Sequence, residues 1–148
     1  MTLPRPALVI CCKDYRYIQP IQRFIRRRGV RWYDLKATAG GLRALLDAPA
    51  LVRRWILADV RLVWRLHGVR RMLIIQHQDC AGYGGSKAFK DPAAERRFHR
   101  RQFQRAQRLL TRALRGVRVE GFFASGAPGR VRVEAFGESG NRNPGTHD

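Results

Sequence analysis

Short apolar runs alternate with longer amphipathic stretches over most of the chain. Two runs, residues 7–12 and 70–76, are short and rich in Val and Ile, which is typical of buried strands. We predict further strands at residues 30–38 and 117–124, and an antiparallel edge strand at 130–136. Strands that alternate with helices favour right-handed crossovers, so the pattern predicts an α/β fold with a mainly parallel sheet.

Helical periodicity fills the segments between these strands. Ile18, Ile21 and Ile25 lie on one face of a helix predicted over residues 15–28, and Gly29 ends it. A second helical stretch covers residues 42–67 with an interruption near Pro49. A third begins after Asp91-Pro92, a typical N-cap followed by proline, and runs to about residue 115.

Length and composition predict one globular domain. The chain has 148 residues, of which 45% are hydrophobic. We expect residues 1–136 to form the domain and the Gly-, Asn- and Pro-rich residues 137–148 to be a disordered tail. Three cysteines, two of them adjacent, do not form a disulfide framework and instead favour a reducing compartment or a metal site. The N-terminal apolar run is too short for a secretory signal, and arginines interrupt the longest helical stretch, so we expect a cytoplasmic protein outside the membrane.

The net charge of +19 has two interpretations. It could be a binding surface for nucleic acid, or it could be spread over solvated helix faces. The solvated interpretation is favoured because no nucleic-acid-binding motif accompanies the charge. A basic stripe follows the helix after Asp91 and consists of Arg97, Arg101, Arg105, Arg108, Arg112 and Arg115.

Candidate chemistry lies where two predicted strands end. Cys12 follows the first strand, and His77 and Cys80 follow the third. Open α/β sheets bind ligands at the carboxyl ends of their strands. Two cysteines and one histidine are also the ligand set of a catalytic zinc with one open position. The alternative is that these residues are two buried thiols and a core histidine. Cys11 should point to the opposite face of its strand, into the core.

The two motifs together resemble a known family. Cys12-x-Asp14-x-Arg16 followed by His77-x-x-Cys80 is similar to the signature of the β-class carbonic anhydrases. The continuation through Gly85 resembles a small branch of that family described as "putative carbonic anhydrase". The resemblance implies a four-stranded parallel core in the order 2-1-3-4, flanked by helices.

What the resemblance implies for function is specific. Zn²⁺ would be held by Cys12, His77 and Cys80, and zinc-bound hydroxide would hydrate CO2 reversibly to bicarbonate. Asp14 and Arg16 would be catalytic: in the family this aspartate either pairs with the arginine or moves onto the metal. The alternative is an ordinary ion pair at a strand end. A homodimer or larger homo-oligomer is also implied.

Four further residues are substrate-pocket candidates. Gly40 and Gly41 form a turn that permits close backbone approach to a ligand, or they are a plain strand-to-helix turn. The family has a similar turn beside its metal, which favours the first interpretation. Tyr15 stands where serine is most common in the family, and Tyr83 could line the pocket or pack against the neighbouring loop. Ala81 also departs from the family, in which glycine directly follows the cysteine.

Two other functions stay open at this point. One is a related zinc hydrolase acting on another small electrophile. The other is a basic binding module whose zinc is structural and which has no turnover. An open fourth metal position would favour an enzyme, whereas strongly salt-dependent binding of a polyanion would favour the binding module.

Overall fold

The computed structural model of the chain describes residues 4–138. Within these residues, five strands form one sheet, and four helices connect and cover them. In chain order the elements are β1 (Ala7–Cys12), α1 (Tyr15–Arg27), β2 (Tyr33–Thr38), α2 (Arg43–Leu46), α3 (Ala50–His67), β3 (Arg71–His77), α4 (Pro92–Ala113), β4 (Arg118–Ser125) and β5 (Arg132–Ala135). Three single 3₁₀ turns lie at Ala81–Tyr83, Ser86–Ala88 and Phe136–Glu138.

The strand order is β2-β1-β3-β4-β5. The first four strands are parallel and β5 pairs with β4 in the antiparallel sense, which confirms the predicted order and the predicted edge strand. After β1 the chain first forms β2 on one side of β1 and then β3 on its other side. The ends of β1 and β3 therefore flank the point where the strand order reverses, which is where α/β sheets form ligand crevices.

Alternating residues of β1 serve the two faces of the sheet. Val9 and Cys11 face α1 and pack with its buried Ile21 and Ile25. On the other face, Leu8 and neighbouring apolar residues pack against α2, α3 and α4. Cys11 is 1% exposed and lies in the apolar layer under α1, as predicted.

Element boundaries differ from the predictions at a few points. The second strand begins at Tyr33, not at Val30, because the Val30 amide donates to the carbonyl of Ile25 and ends α1. The helical stretch interrupted at Pro49 is two helices, α2 and α3, as expected. The tail predicted from residue 137 falls almost entirely outside the described residues. Within residues 4–138, no helix is both long and apolar enough to cross a bilayer.

Candidate metal centre

Three potential metal donors meet at the carboxyl edge of the sheet. Cys12 is the last residue of β1, His77 is the last residue of β3, and Cys80 follows three residues later. Because β1 and β3 are adjacent and parallel, their ends lie side by side. One donor atom from each residue lies within 4.8 Å of the other two, and all three residues are buried. The structure therefore brings together the ligand set expected from the sequence.

The imidazole of His77 presents its free nitrogen to this cluster. Its Nδ1 lies 2.7 Å from the carbonyl oxygen of Gln78, which can only accept, so we place the ring proton on Nδ1. The buried Nε2 then carries a lone pair and has no hydrogen-bond partner among the described residues. Tyr17 stacks on the ring with 4.4 Å between the centroids and fixes its orientation. An unpartnered acceptor beside two thiols is the arrangement that a soft divalent cation satisfies.

The two thiols of the cluster behave as a pair. The hydrogen bond with Cys80 is the largest influence lowering the pKa of Cys12, and the same hydrogen bond raises the pKa of Cys80. The Gly40 amide also donates to Cys12 Sγ at 3.3 Å and stabilises the thiolate. Burial, by contrast, raises the pKa of Cys11 to about 12, so that thiol stays protonated. Cys12 and Cys80 therefore share a hydrogen bond within the donor cluster, whereas Cys11 lies in the core.

Close backbone contacts hold the two cysteine loops against each other. Gly40 and Gly41 both have positive φ, at 77° and 55°, and a Cβ on Gly41 would lie 3.2 Å from the amide nitrogen of Cys12. A Cβ on Gly82 would lie 2.6 Å from the Cα of Gly40, closer than real Cβ atoms come. The Gly40-Gly41 turn therefore packs directly on the segments that carry Cys12 and Cys80.

We expect Gly82→Ala to open this contact. The added methyl group would meet backbone atoms of Gly40, which cannot rotate away, and such overpacking typically costs about 1–3 kcal/mol of unfolding free energy. The displaced Cys80 loop should also bind zinc more weakly. Gly137→Ala is the matched control, because nothing lies within 4 Å of the added Cβ. Thermal unfolding and zinc titration check both variants, and equal behaviour of the two would contradict the contact.

Arg16 joins two carboxylates beside the cluster. Its Nη2 donates to Asp14 Oδ2 at 2.7 Å and its Nε to Asp14 Oδ1 at 3.0 Å, which makes a two-pronged ion pair. Its Nη1 donates to Asp79 Oδ2 at 3.0 Å. These bonds lower the pKa of Asp14, chiefly through the side-chain hydrogen bonds from Arg16. Asp14 Oδ2 also lies 3.9 Å from His77 Nε2, so the carboxylate is held next to the three-donor cluster without entering it.

Asp79 has two roles in the loop before Cys80. Among residues 4–138 it is the one non-glycine residue with positive φ, at 57°, and its Oδ1 accepts from the Ser86 amide at 2.8 Å. Its other oxygen binds Arg16, so it is both a turn cap and a link to the Asp14 pair. The left-handed backbone position of this loop is Asp79. Ala81 has no positive φ and is the first residue of a 3₁₀ turn. Alanine at this position is therefore compatible with the loop.

Glu95 is a site residue that the sequence patterns missed. It is 1% exposed, and its oxygens accept from the Asp79 amide at 2.6 Å and from the Ser86 hydroxyl at 2.8 Å. It thereby anchors the loop that carries Asp79 and Cys80 to α4. One signal could have identified it: Glu95 is the sole acidic residue in the 22-residue α4.

The two tyrosine candidates lie in different environments. Tyr15 is 87% exposed at the start of α1. Tyr83 packs edge-on against Phe98 and His99, with ring centroids 5.1 and 5.3 Å away, and receives a 3.4 Å hydrogen bond from Gln102. Burial raises the pKa of Tyr83 to about 12. Tyr83 therefore packs against α4, whereas Tyr15 faces solvent.

Because His99 is buried, we expect the folded protein to lose stability in acid. Burial lowers its pKa from 6.5 to about 4, and Gln76 Nε2 donates to its Nδ1 at 2.7 Å. Between these two values the unfolded chain binds a proton that the folded chain does not, so stability should fall by up to about 3 kcal/mol as the pH drops through this window. Urea unfolding from pH 7 to 4 measures the slope. In His99→Phe the unfolding free energy should depend less steeply on pH, by the equivalent of about one proton taken up on unfolding. An unchanged slope would contradict this assignment.

The family model and the first of two solved structures agree with the fold. A family model described as "Putative carbonic anhydrase" matches residues 5–134. Among solved structures, the β-carbonic anhydrase isoform I of the protozoan Trichomonas vaginalis aligns with a TM-score of 0.56 and 13% identity over 92% of this chain and 86% of that one. A β-carbonic anhydrase of the fungal pathogen Aspergillus fumigatus aligns with a TM-score of 0.46 and 20% identity, over 90% and 77% of the respective chains. No curated protein matches the sequence.

Proposed function

The chain belongs to the family described as "Putative carbonic anhydrase", and from this membership we propose that it is a zinc-dependent lyase that interconverts CO2 and bicarbonate. The observation that carries the proposal is the convergence of Cys12, His77 and Cys80 beside an Asp14 carboxylate held by Arg16. A site for structural zinc alone has no need of a carboxylate poised at its border.

Zinc fits the donor set. The two sulfurs are suited to a soft cation, and the buried His77 Nε2 has no other partner among the described residues. We propose that these two sulfurs and this nitrogen hold Zn²⁺. When bound, zinc supplies a Lewis acid that lowers the pKa of a water molecule towards neutrality.

Asp14 is the proposed orienting group. Arg16 lowers its pKa, so the carboxylate stays ionised and accepts a hydrogen bond throughout the neutral range. By accepting the O–H of the attacking water, Asp14 directs an oxygen lone pair at the carbon of CO2. The new C–O bond forms as one C=O electron pair moves to oxygen, which gives bicarbonate, and the proton passes to solvent.

Arg16 is the proposed positioning residue of the site. Its bonds to Asp14 and Asp79 keep the Asp14 carboxylate beside the metal cluster instead of in it. A cleft of about 460 Å³ opens at this position and is lined in part by Arg16, Tyr17 and Asp79. We propose that small substrates and protons use this cleft. Its lining does not include the pocket candidates Gly40 and Gly41, which pack on the loops of Cys12 and Cys80 instead.

The test is metal analysis together with CO2 hydration by the purified protein. We expect about one zinc per chain and CO2 hydration that stopped-flow mixing can measure. Chelation should abolish this activity, and added zinc should restore it. Protein without zinc would contradict both the metal centre and the activity. Zinc-loaded protein that hydrolyses an activated ester but does not hydrate CO2 would favour the hydrolase alternative.

We also propose that the chain acts as a homodimer in the cytoplasm. The outer edge of the sheet, β2, and the adjoining face of α3 expose large apolar side chains that include Trp32, Leu35, Leu51, Trp55 and Leu66. Exposed apolar surface of this kind is typical of protein interfaces. Light scattering at micromolar concentration tests it, and a strictly monomeric protein would contradict it.

A further inference from the structure

Arginines from two helices converge on one groove, away from the metal centre. Arg53 and Arg61 of α3 face Arg105, Arg108 and Arg112 of α4 across an open groove of about 610 Å³. Leucine and alanine side chains complete its lining. The α4 stripe was visible in the sequence, but its alignment with arginines some fifty residues earlier depends on the fold.

Most of this charge is not neutralised. Arg105 lies 2.9 Å from Asp47 and is the one groove arginine with a carboxylate within 4.0 Å among residues 4–138. Arg53, Arg61, Arg108 and Arg112 are exposed and make no ion pair there. Like charges lining a concave surface raise the local potential and attract a multiply charged anion.

The extent of the basic surface favours a long anion over a small one. On α4 the arginines at positions 97, 101, 105, 108 and 112 follow one another at three- or four-residue steps, so they share one face. At 1.5 Å per residue, this row extends roughly 22 Å, well beyond the groove itself. A compact polyphosphate would leave most of the row without a partner, whereas a polymer would contact all of it.

The chemistry of the lining indicates which part of such a polymer is bound. Guanidinium groups bind phosphate oxygens in a two-pronged geometry. The groove has no aromatic side chain on which a base could stack. We propose that the groove between α3 and α4 binds the phosphate backbone of a nucleic acid through charge, without reading its sequence.

The test compares two variants that each lose four positive charges. The groove variant carries glutamine at Arg53, Arg61, Arg108 and Arg112. The control variant carries glutamine at Arg23, Arg26, Arg27 and Arg31, which are exposed arginines on and after α1 without ion pairs among the described residues. Fluorescence anisotropy with a 20-base-pair DNA duplex and a 20-nucleotide RNA, from 50 to 300 mM NaCl, gives the affinity and its salt dependence.

For the wild-type protein we expect salt-dependent binding of duplex or single strand. The groove variant should bind more than about tenfold more weakly at 100 mM salt, with the log–log slope reduced by about three to four units, while the control variant keeps the wild-type slope to within about one unit. In the double variant Arg108→Gln/Arg112→Gln, the log–log salt slope should fall by about half as much as in the groove variant. An unchanged melting temperature would show that each variant is folded.

Three results would overturn the proposal. The first is an equal loss of oligonucleotide affinity in the groove and control variants, which would mean that the positive charge attracts nucleic acid diffusely and forms no site. The second is absence of oligonucleotide binding at 100 mM salt. The third is binding of inositol hexakisphosphate, or of vesicles containing phosphatidylserine, in preference to both oligonucleotides. None of these outcomes depends on whether the metal centre is active.

Discussion

Arg16→Ala is expected to reduce CO2 hydration at least about a hundredfold while zinc stays bound. Arg16 makes four side-chain hydrogen bonds to the carboxylate groups of Asp14 and Asp79, and alanine makes none. The Asp14 side chain is only 13% exposed, so a carboxylate left there without its cation is unfavourable. The freed Asp14 lies 3.9 Å from His77 Nε2 and should move onto the zinc, closing the position that the substrate water needs.

A second substitution distinguishes blockage of the metal by Asp14 from a simple loss of the Arg16 charge. In the double variant Asp14→Ala/Arg16→Ala no carboxylate is left to block the metal, so its activity should exceed that of Arg16→Ala. Cobalt substitution gives a readout independent of turnover, because the visible spectrum reports the fourth ligand. A single Arg16→Ala variant with a metal-bound water and full activity would mean that the Asp14–Arg16 pair has only a structural role.

Cys80→Ala is expected to remove zinc almost completely, to below about 0.1 per chain after dialysis, and to abolish activity with it. Cys80 is 3% exposed and its sulfur belongs to the three-donor cluster, so no solvent ligand can readily replace it. Two remaining donors hold zinc far more weakly than three. Plasma mass spectrometry on protein expressed with zinc in the medium measures the content.

The neighbouring cysteine supplies the matched control. Cys11→Ala removes a thiol one residue from Cys12, but on the opposite face of β1 and under α1. It should keep about one zinc per chain and wild-type activity, at a modest loss of stability from the smaller side chain. Equal zinc loss in Cys11→Ala and Cys80→Ala would show that the two variants act through unfolding and would contradict the proposed ligand set.

The regular elements could be predicted because each follows from local pattern. The Val- and Ile-rich runs of β1 and β3 and the Asp91-Pro92 start of α4 specify their structures within a few residues. The start of β2 differs from the prediction because the Val30 amide donates to the Ile25 carbonyl at the end of α1, and the apolar pattern does not reveal this hydrogen bond. Strand order came from a resemblance to a family, not from the pattern itself.

The candidate site was partly predictable for a related reason. Motifs at strand ends identify Cys12 and His77, because parallel neighbours bring those ends together. The bond from Arg16 to Asp79 joins residues 63 positions apart, and the buried Glu95 reaches the site from α4. The contact between Arg16 and Asp79 has no local signature. For Glu95 the one local signal is that it is the sole acidic residue of α4, which does not reveal its partners. The same limit applies to the arginine groove, whose two walls come from separate helices.

The placement of the donors on β1 and β3 has a consequence for how the chain folds. Between Cys12 and His77 the chain forms α1, β2, α2 and α3, and the two residues meet only after the parallel β1–β3 pair has formed. Such non-local pairing is slow and completes late. Of the three proposed ligands, only His77 and Cys80 are close together along the unfolded chain, and the complete set comes together only once folding is nearly finished. Zinc should accordingly slow unfolding and leave the refolding rate almost unchanged.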